Sequence, residues 1–108
     1  MADYVQVSTT AENRDAAMGL ARSAVRAKLA ASGQVLGPVV SVFWHAGQYG
    51  EGEEWQVWLK TTAGQYPALE AHLKASHEWG NPEITAVPIV AGSAPYLEWV
   101  GQTVAAQA

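Results

Sequence analysis

Residues 41–62 read SVFWHAGQYGEGEEWQVWLKTT, two aromatic-rich runs separated by glycines at 47, 50 and 52. In the first run the even positions from 40 to 44 alternate with the odd positions from 39 to 45, and the second run alternates in the same way from 54 to 61. A period of two is typical of β-strands, and glycines between two such runs favour a chain reversal. The segment therefore predicts a long β-hairpin whose flexible, acidic turn includes Glu51, Glu53 and Glu54.

A strand and a helix precede the hairpin. Val5 and Val7 alternate with polar neighbours, which predicts a strand over residues 4–9. Thr9 and Glu12 have the spacing of a capping box, and apolar residues at helical spacing follow. These signals predict a first helix from Ala11 to Ser32, with Gly33 as its stop.

Three further elements follow the hairpin. Pro67 suits a first helical turn and opens a helix that ends near Ser76. A strand is predicted from Ile84 to Val90, and Pro95 opens a last helix. The order β-α-β-β-α-β predicts a single domain over residues 1–108, an α+β ferredoxin-like sandwich with an extra C-terminal helix. Two helices on one face of the sheet would leave the other face open, and Trp44 and Trp58 are expected to make that face apolar.

Composition excludes several classes of function. The chain has 108 residues, a net charge of −4 and no cysteine. The negative charge disfavours binding to nucleic acid or to anionic membranes, and the lack of cysteine removes disulfides and thiolate metal sites. No apolar run reaches the length of a membrane span, and the first residues do not resemble a signal peptide, so a cytoplasmic location is expected.

Several motifs, in their order and spacing, resemble the CutA family of divalent-cation tolerance proteins over nearly the whole chain. The matching residues are Lys28-Leu29-Ala30-Ala31, Pro38, Ser41-Val42-Phe43, Gly47, Glu54, Leu59-Lys60-Thr61-Thr62, His77, Pro82-Glu83, Tyr96-Leu97 and Trp99. The resemblance implies a homotrimer of ferredoxin-like subunits, similar in architecture to the PII signalling proteins. It also implies a role in tolerance of copper, zinc or other divalent metals, through weak ion binding or a metal-responsive interaction.

Three residues are candidate metal ligands. His77 and Glu83 could supply an imidazole and a carboxylate to Cu(II) or Zn(II), and no obligatory cofactor is expected. His45 stands where the family has an aromatic residue, so it is a third candidate. The alternative is that His77 caps a helix, that Glu83 holds the following loop and that His45 is an interface residue with satisfied hydrogen bonds. His72, on the apolar side of the second helix, is expected to be a satisfied and partly buried residue.

The remaining aromatic residues are expected at contacts between subunits. The predicted cleft or interface residues are Phe43, Trp44, His45, Trp55, Trp58, Lys60, Trp79, Tyr96 and Trp99. The sequence has no motif of a nucleophilic enzyme, so no catalytic residue is assigned. Two other functions remain open, a PII-like trimer that senses or scaffolds with a small metabolite and a specialised enzyme that uses the inter-subunit clefts.

Overall fold

The computed structural model describes residues 3–105 and contains four strands and three helices in this part of the chain. Their order is the predicted one. The bounds are β1 Tyr4–Ala11, α1 Arg14–Arg26, β2 Ser32–His45, β3 Gln48–Thr62, α2 Tyr66–Ser76, β4 Ile84–Pro88 and α3 Ala94–Ala105. Residues 1–2 and 106–108, which the sequence analysis included in the domain, lie outside the described residues.

The four strands form one antiparallel sheet in the order β2-β3-β1-β4. This is the strand order of the split β-α-β arrangement, so the ferredoxin-like prediction is confirmed. The strands of the β2-β3 hairpin have 14 and 15 residues and are much longer than the other two strands of the sheet, since β1 has eight and β4 has five. β1 ends at Ala11, which pairs with Trp55. Beyond this point β2 and β3 pair only with each other, and we call this two-stranded part, which ends at the turn after His45, the arm.

The main core lies between one face of the sheet and the helices α1 and α2. Val7 pairs with Leu59 and Thr9 pairs with Val57, so these odd-numbered residues point to the same face. All four are fully buried, together with Leu69 and Leu73 of α2 and Ala17 and Ala24 of α1. Full burial of a Val or Leu side chain contributes about 1.5–3 kcal/mol, so this face supplies most of the stability.

The third helix packs on the opposite face of the sheet. Val100 and Val104 of α3 are buried against Tyr4 and Ala31 in a second, smaller cluster. Tyr4 neighbours Val5 in β1, so its side chain points away from the main core. The prediction that this face is left open is therefore wrong at the end where β1 begins, because α3 covers it there.

The first helix is shorter than predicted at both ends. Asn13 caps it, with the side-chain oxygen accepting the backbone N–H of Ala16 at 2.8 Å, whereas Thr9 lies fully buried in β1. At the other end Lys28 has φ of 58°, a left-handed conformation that ends the helix. Gly33 is not the helix stop; it lies in β2 against Leu59.

The hairpin turn is tighter than predicted. Its central residues are Ala46 and Gly47, with φ of 52° and 77°, and His45 pairs directly with Gln48. Two positive φ values are typical of the type I′ turn, whose twist matches that of the strands. Gly50 and Gly52 lie in β3 and not in the reversal, so the acidic residues from 51 to 54 are held on a strand.

Candidate functional site

A register shift in β2 decides which side chains of the hairpin share a face. Leu36 pairs with Gln56, but Val39 pairs with Glu54, so β2 has one extra residue at this point. Such a β-bulge moves every later side chain of the strand to the other face. As a result Phe43 and His45 lie on the same face as Glu54.

The two faces of the arm differ in chemistry. One carries Val40, Val42, Trp44 and Tyr49, which are 77%, 63%, 76% and 57% exposed and which we call the apolar hairpin surface. In β3, Val40 and Val42 pair with the acidic residues Glu53 and Glu51, and Trp44 pairs with Tyr49. The Tyr49 hydroxyl donates a hydrogen bond to Glu51, and this bond raises the pKa of Tyr49. Trp58 lies on the other face, so the expectation that Trp44 and Trp58 share one apolar face is wrong.

Between the arm and the loop after α2 lies a concave surface of about 780 Å³, here called the cleft. Its lining draws on both faces of the arm, because Val42 and Trp44 of the apolar hairpin surface contribute to it beside Phe43 and His45. The residues that line it are Thr10, Ser41, Val42, Phe43, Trp44, His45, Glu54, Trp79, Gly80, Asn81 and Glu83. Two carboxylates, one imidazole and several aromatic residues are thus brought together. Among the described residues that line the cleft, none is a lysine or an arginine.

The aromatic residues of the cleft are held in place. Phe43 lies across Gly50, where a Cβ atom would come within 2.7 Å of its ring. The backbone N–H of Trp79 donates to Nδ1 of His77 at 3.0 Å, and the two rings lie 4.9 Å apart. Ordering these side chains in advance lowers the entropy that a ligand would otherwise lose on binding.

His77 has both ring nitrogens in hydrogen bonds. Nδ1 accepts the N–H of Trp79, and Nε2 lies 2.7 Å from the carbonyl oxygen of Thr10. A backbone N–H can only donate and a carbonyl can only accept, so the ring is neutral with its proton on Nε2. The backbone N–H of His77 also bonds to Leu73 O and ends α2. The helix-capping interpretation of His77 is thereby confirmed.

The predicted metal ligands are only partly brought together. His45 and Glu83 line the cleft, and Glu54 joins them there, whereas His77 lines a separate cavity of about 220 Å³ beside α1. Imidazole and carboxylate are suitable ligands for Zn(II) and Cu(II). Within residues 3–105, however, no three His, Asp or Glu side chains form a group that could hold a metal ion. The chemistry of the donors fits a divalent cation, but a single chain does not complete the site.

The other predicted interface residues differ in their surroundings. Trp55 is partly buried against the main core, and Trp58 donates its indole N–H to Gln56 at 3.1 Å. Lys60 is partly buried in β3. Tyr96 and Trp99 remain 41% and 45% exposed on α3, with ring centroids 5.8 Å apart. Exposed aromatic rings are thus present on the arm and on α3.

Sequence reasoning missed three residues of the site. Thr10, Gly80 and Asn81 line the cleft although no motif marks them. The spacing of Asn81 just before Pro82-Glu83 was the one available signal, because a polar residue ahead of a strand is placed at the sheet end.

The prediction for His72 is confirmed, since it is partly buried and its Nε2 lies 2.6 Å from Ser23 Oγ.

A ferredoxin-like sheet with an extended hairpin arm and a cleft between the arm and the loop after α2 defines the class of protein. A comparison with known protein families identifies this class more closely. Residues 5–103 match the family of CutA1 divalent ion tolerance proteins, and the chain belongs to this family.

Relatives support this assignment at the level of sequence and structure. The chain is 36% identical over 96 residues to the rice "Protein CutA 1, chloroplastic", covering 89% of this chain and 54% of that protein. It thus spans about half the length of this relative. It is 32% identical over 94 residues to the divalent-cation tolerance protein CutA of Thermus thermophilus, covering 87% and 91% of the two chains.

Solved structures have the same fold. The Thermus thermophilus protein superposes with a TM-score of 0.89 at 30% identity, covering 93% and 97% of the two chains. A CutA from Archaeoglobus fulgidus, described as periplasmic, superposes with a TM-score of 0.89 at 29% identity, covering 94% and 98%. In residues 3–105 of the present chain, no helix is long and apolar enough to span a membrane.

Proposed function

We propose that the protein acts in divalent-cation tolerance as a homotrimer that binds Cu(II) or Zn(II) weakly through His45 and Glu83. The observation that carries the proposal is that these two donors line one cleft, with the carboxylate of Glu54 as a third donor. His77 is less suited, because a metal on either of its nitrogens would replace an existing hydrogen bond. An incomplete donor set in one chain is consistent with weak binding, or with a ligand supplied by a second copy.

The proposed trimer rests on the apolar hairpin surface. Three of its four side chains, Val40, Val42 and Trp44, lie in one row on the edge strand β2, and Tyr49 stands beside Trp44 on β3; each is more than half exposed. Contiguous apolar surface of this kind marks contact sites, and an unpaired edge strand is a template for pairing with another chain. We expect the arm to pack against a second and third copy, and we expect the protein to reside in the cytoplasm.

Calorimetric titration tests the metal proposal. The wild type is expected to give saturable heat with ZnCl₂ or CuCl₂, and the double variant His45→Gln, Glu83→Gln is expected to lose it. The double variant His72→Gln, Glu78→Gln removes the same groups outside the cleft and serves as the matched control. Equal heats from the two double variants, or no saturable heat from the wild type with either metal, would contradict the proposal.

Light scattering coupled to gel filtration tests the assembly. The variant Val42→Glu, Trp44→Glu places charges on the apolar hairpin surface and is expected to convert trimers to monomers. Gln48→Glu adds a charge to the opposite face of the same arm and is expected to leave the trimer intact. A monomeric wild type at micromolar concentration would refute this part of the proposal.

A PII-like trimer that binds a small metabolite is a second candidate. It is favoured by the aromatic residues Phe43 and Trp79, because aromatic rings in a cleft bind organic molecules and contribute little to a bare metal ion.

A further inference from the structure

We propose that the cleft binds an organic ammonium ion, a small molecule with an alkylated or primary ammonium group. The inference rests on the cleft described for the second candidate function and names the ligand class of that site. It does not depend on metal binding. Three features of the cleft carry it: the sign of its charge, the placement of its aromatic rings and its size.

The charge of the cleft selects cations. Glu54 and Glu83 line it, and His45 is the one basic group among the described residues that do so. All six lysines and arginines of the chain lie elsewhere, at positions 14, 22, 26, 28, 60 and 74. An anionic metabolite such as a nucleotide or a dicarboxylate would therefore meet two carboxylates there, without the arginine or lysine that usually pairs with it.

The aromatic residues select a cation with an organic body. Phe43 shares its face of the arm with Glu54, and Trp79 stands across the cleft in the loop after α2. The faces of Trp and Phe rings attract ammonium groups, most strongly where water is excluded, and such rings are the recurrent recognition element for choline-like ligands. Each ring packs on one side against a neighbour, Phe43 over Gly50 and Trp79 against the ring of His77.

The size of the cleft exceeds what a metal ion needs. A divalent ion is enclosed by ligand atoms at about 2.0–2.6 Å and fills only a small part of such a space. Pockets for small organic ligands have volumes of about 300–1,000 Å³, and the cleft of a single chain, at about 780 Å³ and bounded in part by Val42 and Trp44 of the apolar hairpin surface, falls within this range. The hydroxyl of Ser41 and the amide of Asn81 add neutral polar groups that could orient the rest of the ligand.

The test compares ligands of equal shape and different charge. Choline, its uncharged carbon analogue 3,3-dimethylbutan-1-ol, 1,4-diaminobutane and succinate are titrated into the full-length protein by calorimetry. Saturable binding is expected for choline or the diamine, and none for the alcohol or for succinate. Equal binding of choline and the uncharged alcohol, or no saturable binding of either ammonium compound at millimolar concentration, would overturn the proposal.

Two variants separate ammonium binding from metal binding. Trp79→Leu is expected to weaken ammonium binding about tenfold, as loss of one ring contact does, and to leave the heat with ZnCl₂ unchanged. Glu83→Gln is expected to weaken both, and because Glu83 is exposed its removal does not endanger folding. Glu12→Gln, outside the cleft, is the control. Unchanged choline affinity in both Trp79→Leu and Glu83→Gln would refute the assignment of the site even if metal binding is found.

Discussion

Replacement of His77 tests the link between the end of α2 and the sheet. His77→Leu removes the bond from Nε2 to Thr10 O and the bond from Trp79 N–H to Nδ1, and it leaves both backbone groups without these partners. A typical hydrogen bond contributes about 0.5–1.5 kcal/mol, and a buried group left unpaired costs about 1–3 kcal/mol. Since His77 is only partly buried, water can replace part of the loss, and we expect destabilisation of about 2–3 kcal/mol.

Two amide substitutions divide this effect between the bonds. The side-chain oxygen of Asn can accept the N–H two residues ahead, so His77→Asn is expected to keep the link to Trp79 and lose the one to Thr10. The longer side chain of Gln can donate to Thr10 O, so His77→Gln is expected to keep the link across the fold. Each of these two substitutions is expected to lower the free energy of unfolding by about 1–2 kcal/mol, which is less than the loss expected for His77→Leu.

Urea unfolding, followed by circular dichroism at neutral pH, measures these differences. The matched control is His45→Leu, because His45 is an exposed histidine at the tip of the arm and its loss is expected to change stability by no more than about 0.5 kcal/mol. The experiment is best done on one oligomeric state at fixed protein concentration, since association adds to apparent stability. If His77→Leu is no less stable than His45→Leu, the two hydrogen bonds do not hold the loop and the reasoning fails.

Three other predictions concern the core and the second helix. Leu59→Ala is expected to destabilise the fold by about 2–5 kcal/mol in urea unfolding, because its fully buried side chain leaves a cavity; a loss below about 1 kcal/mol would contradict the core described above. Thr9→Val is expected to stabilise by about 1 kcal/mol, since the buried Thr9 hydroxyl has no hydrogen-bond partner among the described residues, and a less stable variant would mean that the hydroxyl has a partner. Hydrogen bonds from Tyr66 and Lys74 lower the pKa of Glu70, so its contribution is present above the pKa of the unfolded chain and is lost as pH falls through the folded one. The Tm of Glu70→Gln is therefore expected to fall less than the Tm of the wild type between neutral and acid pH. Superimposable curves of Tm against pH for the two proteins would mean that the hydrogen bonds of Glu70 do not contribute to stability.

The fold was predictable because the local patterns agree with one another. Alternation placed Val5 and Val7 on a strand and Pro67 placed a helix after the hairpin, and both elements occur as expected. The predicted start of α1 was wrong because Thr9 and Asn13 both have side chains that can cap a helix. Pairing of β1 with β3 as far as Ala11 decides between them, and that contact joins residues 44 positions apart in sequence.

The candidate site was predictable in its residue types and less so in its geometry. His45 and Glu83 are ligand types that a sequence reveals, and they line one cleft. The role of His77 was not decided by sequence, because its partner Thr10 lies 67 positions away. No local pattern states that both nitrogens of an imidazole are already in use. The volume of the cleft likewise depends on how the loop of residues 79–83 meets the arm, which is a tertiary contact.

The bulge in β2 connects the fold to the two proposed functions. Side chains in a strand alternate strictly, so one extra residue before Val39 exchanges the two faces of the whole arm. Without it, Phe43 and His45 would lie on the face that now carries Trp44 and Tyr49, away from Glu54. The tight turn at Ala46-Gly47 then keeps the register of β3 in step with β2 to the tip. One irregularity and one turn thus place Val42 and Trp44 on one face of the arm and Phe43, His45 and Glu54 on the other, and the cleft uses residues of both faces.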